Sequence, residues 1–578
     1  MYRNNNVADR IFHRQIATPP PGTTSHCVRR FYENIVPNHT VYDVECPDHS
    51  FRKFTVDGRY LITFSRNHRD LIVYRPKWLS FSYKGDEIDT FQELPSTAQK
   101  FESFFNLIYS VSLASCNELI CKDFFLYMES NRFGLFATST SQIQDASAVG
   151  GAVPGVPSIE KITFHLLRLE DGEILDVKVF VNDFVNLVHN PGVFLYDDLL
   201  SIVSLRYQIV HILQIRDSGH LVDVRAIGAF CRDDDELFLN SSSQASTANI
   251  SSELHVAILN CACLAGFWSL CSNFISKMMN FFSISSYQCV GVPERSRLVA
   301  GNVENGYHHN PPNTDNSFLS GLKQRLLSFI FRRIWNEETD HRLRVQCLTK
   351  SFYFHFQDYV DLIIWKVQFL DRQHLLLKLG SVDGGVSRMA DHHRAFFAVY
   401  DMETTVIVAF YQNSADDLYL LFERFCNHFH AASRNSLCMN FISSHSNNVH
   451  AQEQLRSLKN KAVSYSQFVK KMLVSLPFNC QSQSPSPYFD LSLFRYDEKL
   501  ISATDRHRQS TDHPIKFILR RPPHSLRFKI KSGPEGGITD GRTKGISSFL
   551  FHPYLPLALS IQQTTYLNPS VVNIHFRR

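Results

Sequence analysis

Three short segments contain residue types that could do chemistry, but none has the spacing that the chemistry needs. Cys426, His428 and His430 could bind a metal, yet no Cys/His cluster stands at zinc-ligand spacing. Residues 380–385 are rich in glycine but lack the lysine of a phosphate-binding loop, and a hairpin turn explains them better. Residues 233–236 are adjacent acids, which are typical of a solvated loop because like charges avoid shared burial. The sequence therefore predicts a protein that is not an enzyme and uses no metal or cofactor.

The composition indicates an ordinary globular chain with a preference for sheets. Among 578 residues, 44% are apolar and 20% charged, and the aromatic share of 13% includes 47 Phe and 22 Tyr. A net charge of +4 is too small for sustained phosphate contact, so we expect no direct nucleic-acid binding. Residues 1–10 lack the apolar stretch of a signal peptide, and the 13 Cys are scattered, which favours reduced thiols in the cytosol or nucleus.

Most of the chain reads as short strands joined by tight turns. Asp57-Gly58-Arg59 precedes one such strand, as in the blade of a WD-repeat protein, and a second blade-like phrase covers residues 396–410. Further strands are predicted at residues 161–169, 174–181, 199–205, 208–215, 360–369, 375–379, 516–519, 555–561 and 571–576. We predict a mainly β fold, an irregular WD-repeat-like β-propeller with an N-terminal helix-loop-helix and helical insertions; a multi-sheet β-sandwich is the alternative.

This pattern divides the chain into four predicted segments. Residues 1–36 form the helix-loop-helix arm, residues 37–240 and 317–578 are the two parts of the propeller, and residues 241–316 are a variable, disordered linker or insert. In the arm, Val28, Phe31, Tyr32 and Ile35 make one apolar helical stripe after a Pro-rich turn, and a frayed N-terminal arm is the alternative.

The insert and two helical segments interrupt the strands. Residues 256–276 contain no charged side chain and are long enough to span a bilayer, but Asn and Ser within them lower the tendency to insert, so we expect no membrane contact. Residues 318–337 predict a basic amphipathic helix that packs on its own domain or docks on a partner, and residues 416–428 predict a second helix.

Whole phrases of the sequence resemble the De-etiolated-1 family of plants. The phrases are residues 120–127 (ICKDFFLY), 133–140 (FGLFATST), 214–221 (QIRDSGHL), 352–377, 482–489 (SQSPSPYF) and 571–578 (VVNIHFRR). The likeness covers nearly the whole chain except about residues 248–310, where the family has a polar, variable linker. This departure favours an intronic sequence translated in a faulty gene model as the origin of the apolar segment.

The resemblance implies a function that composition and spacing do not reveal. Proteins of this family are nuclear and repress photomorphogenesis as non-catalytic subunits of a cullin-4 ubiquitin ligase that promotes the turnover of light-signalling factors. The implied partners are the damaged-DNA-binding protein 1 adaptor, cullin-4 through that adaptor, and constitutively photomorphogenic 10, a ubiquitin-conjugating-enzyme variant. The family is also credited with binding histone tails, and a chromatin-associated module that regulates transcription is the alternative function.

The resemblance also suggests a role for the N-terminal arm, because receptors of this adaptor insert an N-terminal helix-loop-helix between its propellers. We expect apolar and aromatic anchors with an arginine rim. The candidate adaptor-binding residues are Ile11, Phe12, Arg14, Arg29, Arg30, Phe31 and Tyr32. The alternative is that Phe31 and Tyr32 cap the chain's own propeller. Separately, Ser484 and Ser486 each precede a proline and are candidate phosphorylation sites in an exposed loop.

Overall fold

The computed structural model describes the greater part of the chain. The described residues are 32–77, 99–143, 153–228, 321–381, 395–412, 417, 421, 486–489, 493–496, 514–531, 546–563 and 571–577, with gaps at 129, 154 and 189–191. Among them, antiparallel sheets dominate, so the predicted mainly β class is confirmed.

The first strands form two sheets, apart from β1 (His39–Val41), which belongs to the C-terminal sheet. Sheet I contains, in spatial order, β2 (His49–Phe54), β3 (Leu61–Ser65), β4 (Asp70–Pro76) and β5 (Phe105–Ser112). Sheet II contains β6 (Leu119–Ile120), β7 (Leu126–Met128), β8 (Phe133–Ser139), β9 (Gln142–Ile143), β10 (Ser158–Arg168) and β11 (Ile174–Asp183). In sheet II the order is β11-β10-β8-β6, while β7 also pairs with β8 and β9 with β10.

Four further sheets follow along the chain. Sheet III contains β12 (Val193–Tyr196), β13 (Leu199–Ser204), β14 (Ile209–Ile215) and β15 (Leu221–Ile227). Sheet IV contains β16 (Ile363–Phe369), β17 (His374–Gly380), β18 (Ala395–Asp401) and β19 (Val406–Gln412). Sheet V contains β20 (Phe494–Arg495), β21 (Ile515–Leu519) and β22 (Leu526–Ile530). Sheet VI has the order β1-β25-β24-β23, with β23 (Ile546–Phe551), β24 (Leu557–Gln563) and β25 (Val571–Phe576).

Helical elements cluster between sheets III and IV. They are α1 (Leu322–Glu337), α2 (His341–Cys347), a π-helical segment (Leu348–Tyr353) and α3 (Phe356–Val360). Short 3-10 turns occur at Phe101–Ser103 and Pro487–Phe489, and residues 32–34 are helical.

The predicted hairpins are confirmed wherever the structure describes them. β10 and β11 pair across a turn at Gly172, whose φ of +82° and close approach to Tyr109 leave no room for a Cβ atom. The predicted pairs at residues 199–215, 360–379 and 396–410 correspond to β13–β14, β16–β17 and β18–β19. Alternating bulky residues therefore located the strands correctly.

The sheets pack face to face in the order V, VI, I, II, III, IV, since hydrophobic clusters join each to the next. One ring pair from each interface shows this order: Phe517–Phe551 (5.8 Å), Phe54–His552 (5.1 Å), Phe64–Phe136 (6.3 Å), Phe180–His211 (5.1 Å) and Phe194–Phe369 (6.4 Å). The described residues show no such cluster between sheets IV and V.

Helix α1 packs on its own domain, one of the two predicted outcomes. Leu322, Leu326 and Ile330 are buried in the cluster shared by sheets II, III and IV. Arg333 donates from Nη1 to the Phe410 carbonyl of β19 at 2.7 Å. The apolar stripe is thus a core contact.

Two predicted segments fall outside the described residues. They are the insert at residues 241–316, with its apolar stretch 256–276, and the helix at residues 416–428, of which only Asp417 and Leu421 are described, both helical. Of the helices that the structure describes, none combines the length and apolar character needed to cross a membrane.

Candidate functional site: the junction of the two chain ends

The two ends of the described chain meet in sheet VI. β1 pairs with β25, with His39 opposite Phe576 and Val41 opposite Ile574. The Asn38 amide donates to the Phe576 carbonyl at 3.0 Å and continues this ladder. Because the partners lie more than 500 residues apart in sequence, this three-residue strand closes a very long loop. We call residues 32–41 and their contacts in sheets V and VI the junction.

A buried polar network holds the junction strands together. Thr40 Oγ1 lies 2.9 Å from His575 Nδ1, and Ser560 Oγ lies 2.9 Å from His575 Nε2. Asn573 donates from Nδ2 to Ser560 Oγ at 3.2 Å and accepts from the Asp43 amide at 3.0 Å. Burial lowers the pKa of His575 to about 4, so the ring is neutral, with one nitrogen free to donate and the other to accept.

Arginines from both C-terminal sheets cap the helix that ends at residue 34. Arg527 donates from Nε to the Glu33 carbonyl at 2.5 Å and from Nη2 to the Asn34 carbonyl at 3.3 Å. Arg577 donates from Nη1 to the same Asn34 carbonyl at 3.3 Å. The last carbonyls of a helix lack partners within it and carry partial negative charge, which cations stabilise. The end of the helix is therefore fixed to the sheets.

Aromatic packing fixes the same helix end from the inside. Tyr32 is 1% exposed and meets Tyr488 edge to face, with ring centroids 5.8 Å apart. Tyr32 also donates its hydroxyl to the Tyr554 carbonyl at 3.2 Å, and Tyr488 donates to the Ile35 carbonyl at 2.6 Å. Burial raises the pKa of Tyr488 well above its usual range, so this hydroxyl keeps its proton.

A second histidine joins sheet VI to sheet I. His552 accepts at Nδ1 from the Leu555 amide at 2.9 Å, and its Nε2 lies 2.9 Å from the Gly58 carbonyl, to which it donates. Gly58 has φ +69°, and a Cβ there would lie 2.5 Å from the His552 ring. Burial lowers the pKa of His552 to about 4. The Asp57-Gly58 turn singled out in the sequence thus contacts the neighbouring sheet.

The structure describes two of the predicted site residues. Tyr32 packs inside its own chain, which supports the alternative of a cap on its own sheets. Ser486 is buried, and its Oγ accepts from the Tyr488 amide at 3.4 Å, so in this conformation its hydroxyl is not exposed as the sequence predicted. The remaining candidates lie outside the described residues: Ile11, Phe12, Arg14, Arg29, Arg30, Phe31 and Ser484.

Sequence reasoning missed the residues that build the junction. The carbonyls of residues 33–35 accept hydrogen bonds from Arg527, Arg577 and Tyr488, which lie near the other end of the chain. No local sequence pattern predicts such contacts. Tyr488 follows the two Ser-Pro dipeptides, which suggested an exposed loop. The burial of Ser486, Pro487 and Tyr488 shows that these three residues enter the core.

The contacts of the junction are suited to holding one segment of the chain in place. Thr40, His575, Ser560 and Asn573 are hydrogen-bonded to each other, and His575 is neutral at physiological pH. Within the described residues, no group of three His, Cys, Asp or Glu side chains is placed to hold a metal ion. These contacts hold Tyr32 against sheets V and VI. Residues 1–31 are joined to Tyr32 by the chain itself.

Comparison with known proteins places the chain in a family. The family described as De-etiolated protein 1 matches residues 122–578. A light-mediated development protein DET1 of Solanum lycopersicum is 66% identical and that of Arabidopsis thaliana 65% identical, each over the full length of both chains.

Solved structures add little to this comparison. A protein described as a 6-phosphogluconolactonase of Bacteroides fragilis is 10% identical, and the match covers 33% of this chain and 39% of that one with a TM-score of 0.17. A likeness this weak carries no argument. The agreement with full-length relatives, which extends through both ends that form the junction, shows that the chain belongs to the De-etiolated protein 1 family of light-mediated development proteins.

Proposed function

We propose that the chain is a non-catalytic scaffold subunit of a nuclear cullin-4 ubiquitin ligase that represses photomorphogenesis by promoting turnover of light-signalling factors. Its proposed partners are the damaged-DNA-binding protein 1 adaptor, cullin-4 through that adaptor, and constitutively photomorphogenic 10. The observation that carries the proposal is the junction, since it holds the last residues of the predicted N-terminal arm against sheets V and VI. Family membership supports the role in light-mediated development.

We also infer that the sheets form a closed propeller. Six sheets pack in the order V, VI, I, II, III, IV, and β1 completes a sheet otherwise made by the C-terminus. Propellers repeat their sheets radially in this way, which leaves only short, protected sheet edges. Closure requires sheet V to meet sheet IV, directly or through residues between 413 and 485. Intensity from small-angle scattering that fits an open, elongated stack rather than a ring would refute this inference.

The junction changes which residues we assign to the adaptor. Tyr32, Ile35 and Val36 are buried in the chain's own core, so the arm that meets the adaptor is better placed at residues 1–31. Ile11, Phe12 and Phe31 remain the proposed apolar anchors, with Arg14, Arg29 and Arg30 as the polar rim. Each buried anchor contributes roughly 1.5–3 kcal/mol to such a contact.

Co-purification with the adaptor tests the proposal. We expect the full chain to form a stoichiometric complex with the damaged-DNA-binding protein 1 adaptor. Replacing both Ile11 and Phe12 by alanine removes two anchors and weakens the complex by at least tenfold, measured by titration calorimetry. Replacing Tyr32 by phenylalanine is the matched control, because it keeps the ring in the core and leaves the arm unaltered.

Two results would contradict the proposal. Failure of the well-folded full chain to bind the adaptor removes the ligase role. In that case a histone-tail pull-down with the same preparation decides whether the chromatin-associated function takes its place. Equal affinity of the Ile11/Phe12 variant and the full chain moves the adaptor contact elsewhere on the sheets.

A further inference from the structure

One face of sheet IV carries polar side chains although it is buried. Leu375 and Leu377 of β17 lie in the apolar cluster shared with sheet III. Side chains alternate along a strand, so Leu376 and Lys378 point to the opposite face, where they are 0% and 7% exposed. We call this opposite surface the second face of sheet IV. A buried polar group costs free energy unless it finds a partner, so the polar side chains of this face require an explanation.

Two lysines lie opposite each other on the second face. Lys366 of β16 and Lys378 of β17 are register partners, and the Cβ atoms of such partners are about 4.5–5.5 Å apart. Lys378 Nζ lies 5.7 Å from the centroid of the Phe397 ring. Lys366 is partly exposed and forms no salt bridge within the part of the chain that the structure describes. Like charges placed directly opposite are destabilising, so this pair calls for a negative group nearby.

Two further hydrogen-bond donors accompany the lysines. Gln368 lies two residues after Lys366 on the same face, is 0% exposed, and has no hydrogen-bond partner for Oε1 or Nε2. The pairing of β16 shifts register at Trp365, whose ring packs against Gly380, two residues beyond Lys378. The Trp365 Nε1 is buried and also lacks a partner. We call the side chains of Trp365, Lys366, Gln368 and Lys378 the donor cluster.

Sheet II shows how the chain pairs a lysine when it supplies the carboxylate itself. Lys161 Nζ lies 2.9 Å from Oε1 of Glu118, which is buried, and Glu118 Oε2 accepts from the Thr138 hydroxyl at 3.2 Å. Lys366 has no such carboxylate among the described residues. The negative group that the donor cluster calls for therefore has to come from a bound anion.

We propose that the donor cluster is a binding site for a phosphate-type oxyanion, either free phosphate or the phosphate group of a small molecule. Two ammonium groups balance the charge of about −1.5 to −2 that a phosphate group carries at neutral pH, whereas a carboxylate supplies only half of it. The several oxygens of a phosphate also match the number of donors, since the indole N–H, the amide and both ammonium groups can each donate to one. This site is independent of the proposed ligase role.

The protonation of the lysines gives the site a measurable signature. Burial, reinforced by the charge of Lys366, lowers the pKa of Lys378 to about 7, and burial also lowers the pKa of Lys366. A bound anion favours the charged forms and raises both pKa values. Anion binding at mildly alkaline pH should therefore take up protons.

Calorimetric titration of the full chain with inorganic phosphate, at ionic strength held constant with potassium chloride, tests the proposal. We expect saturable binding that becomes about tenfold weaker in Lys378→Met, which removes a charged donor but keeps a side chain of similar length. Lys366→Met should cause a similar loss at a partly exposed position, where the fold tolerates the change more readily. The matched control is Lys516→Met/Lys529→Met, which alters an exposed pair of opposite lysines on sheet V and should leave the affinity within about twofold.

Two further readouts separate a binding site from a purely structural role. Sulfate stays divalent in this pH range, so its binding at about pH 8, measured in buffers of different ionisation enthalpy, should take up about one proton. Without added anion, Lys378→Met should melt at a higher temperature than the unaltered chain, because an apolar side chain replaces a buried lysine. With phosphate, the unaltered chain should gain thermal stability and the variant should not.

Three results would overturn the proposal: no saturable phosphate binding, equal affinity in the unaltered chain and both single lysine variants, or equal stabilisation by acetate at the same ionic strength. Glycerol phosphate distinguishes the two sources of the anion. Tighter binding of glycerol phosphate than of inorganic phosphate assigns the site to the phosphate group of a small molecule, and the reverse order assigns it to free phosphate.

Discussion

The junction and the middle of the chain are held together in different ways. At the junction, residues from opposite ends of the sequence meet through specific polar contacts, including the Thr40–His575–Ser560 network and the arginines on the helix end. Between sheets III and IV, one large apolar cluster includes α1 and both sheets. There the Leu322 amide donates to the Gly228 carbonyl at 2.9 Å. The described residues on either side of positions 229–320 therefore lie next to each other.

This difference shows which parts of the chain the fold depends on. Residues 32–41 are few, but Tyr32, Asn34 and Val41 are among those that contact residues from the other end of the sequence. Residues 229–320 are many, but the described residues on either side of them, Gly228 and Leu322, are joined by a backbone hydrogen bond. We infer that a short terminal segment is essential to the fold, whereas the insert is not.

Truncating Tyr32 should have the largest effect. Tyr32→Ala leaves a cavity among the rings of sheets V and VI and removes the hydroxyl bond to Tyr554, which we expect to cost about 3–5 kcal/mol of unfolding free energy. Tyr32→Phe keeps the ring and should cost about 1 kcal/mol. Chemical denaturation measures both, and equal, small losses would show that the junction is not a core contact.

Acid should weaken the junction next most strongly. The unfolded chain protonates His575 near pH 6.5, whereas burial keeps the folded pKa at about 4. The stability from the neutral ring is therefore complete above pH 6.5 and is lost as the pH falls to 4, by at most roughly 3 kcal/mol.

A variant that cannot titrate isolates this effect. His575→Gln keeps a donor toward Ser560 and should flatten the decline between pH 6.5 and 4 by up to about 1.4 kcal/mol per pH unit. His552 has a similarly lowered pKa and stays as the internal reference. Parallel pH profiles for the variant and the unaltered chain would contradict the assigned protonation state.

Removing the helix-capping arginines should have a smaller effect. Arg527 is exposed, so water partly replaces its contacts, and Arg527→Ala should cost about 0.5–1 kcal/mol. The matched control is Arg521→Ala, an exposed arginine in the preceding turn, which should change stability by less. Hydrogen exchange of the amides near residues 35–38 reports the same loss locally, and no change there would exclude a capping role.

Excising residues 229–320, which contain the insert at residues 241–316, should have the smallest effect. A short Gly-Ser linker in place of residues 229–320 closes a gap that one hydrogen bond already spans, and a shorter loop costs slightly less entropy to close. We expect unchanged or slightly higher stability and detergent-free solubility. A large loss of stability would show that the insert belongs to the core.

The sequence predicted local structure well and long-range partners poorly. β25 was predicted at its observed bounds, and the β10–β11 hairpin was recognised from a turn and alternating residues. β1 escaped prediction because three residues carry no periodic signal and their partner lies at the other chain end. The sequence placed Tyr32 in an amphipathic stripe, but a stripe alone does not tell which surface covers it.

One measurement tests the central claim that the junction anchors an arm which the fold itself does not need. A chain lacking residues 1–31 but retaining Tyr32 should melt at the temperature of the full chain and lose the damaged-DNA-binding protein 1 adaptor in co-purification. If that truncated chain still binds the adaptor, the arm is not the contact. If it no longer melts cooperatively, the arm is part of the fold and the junction does not begin at residue 32.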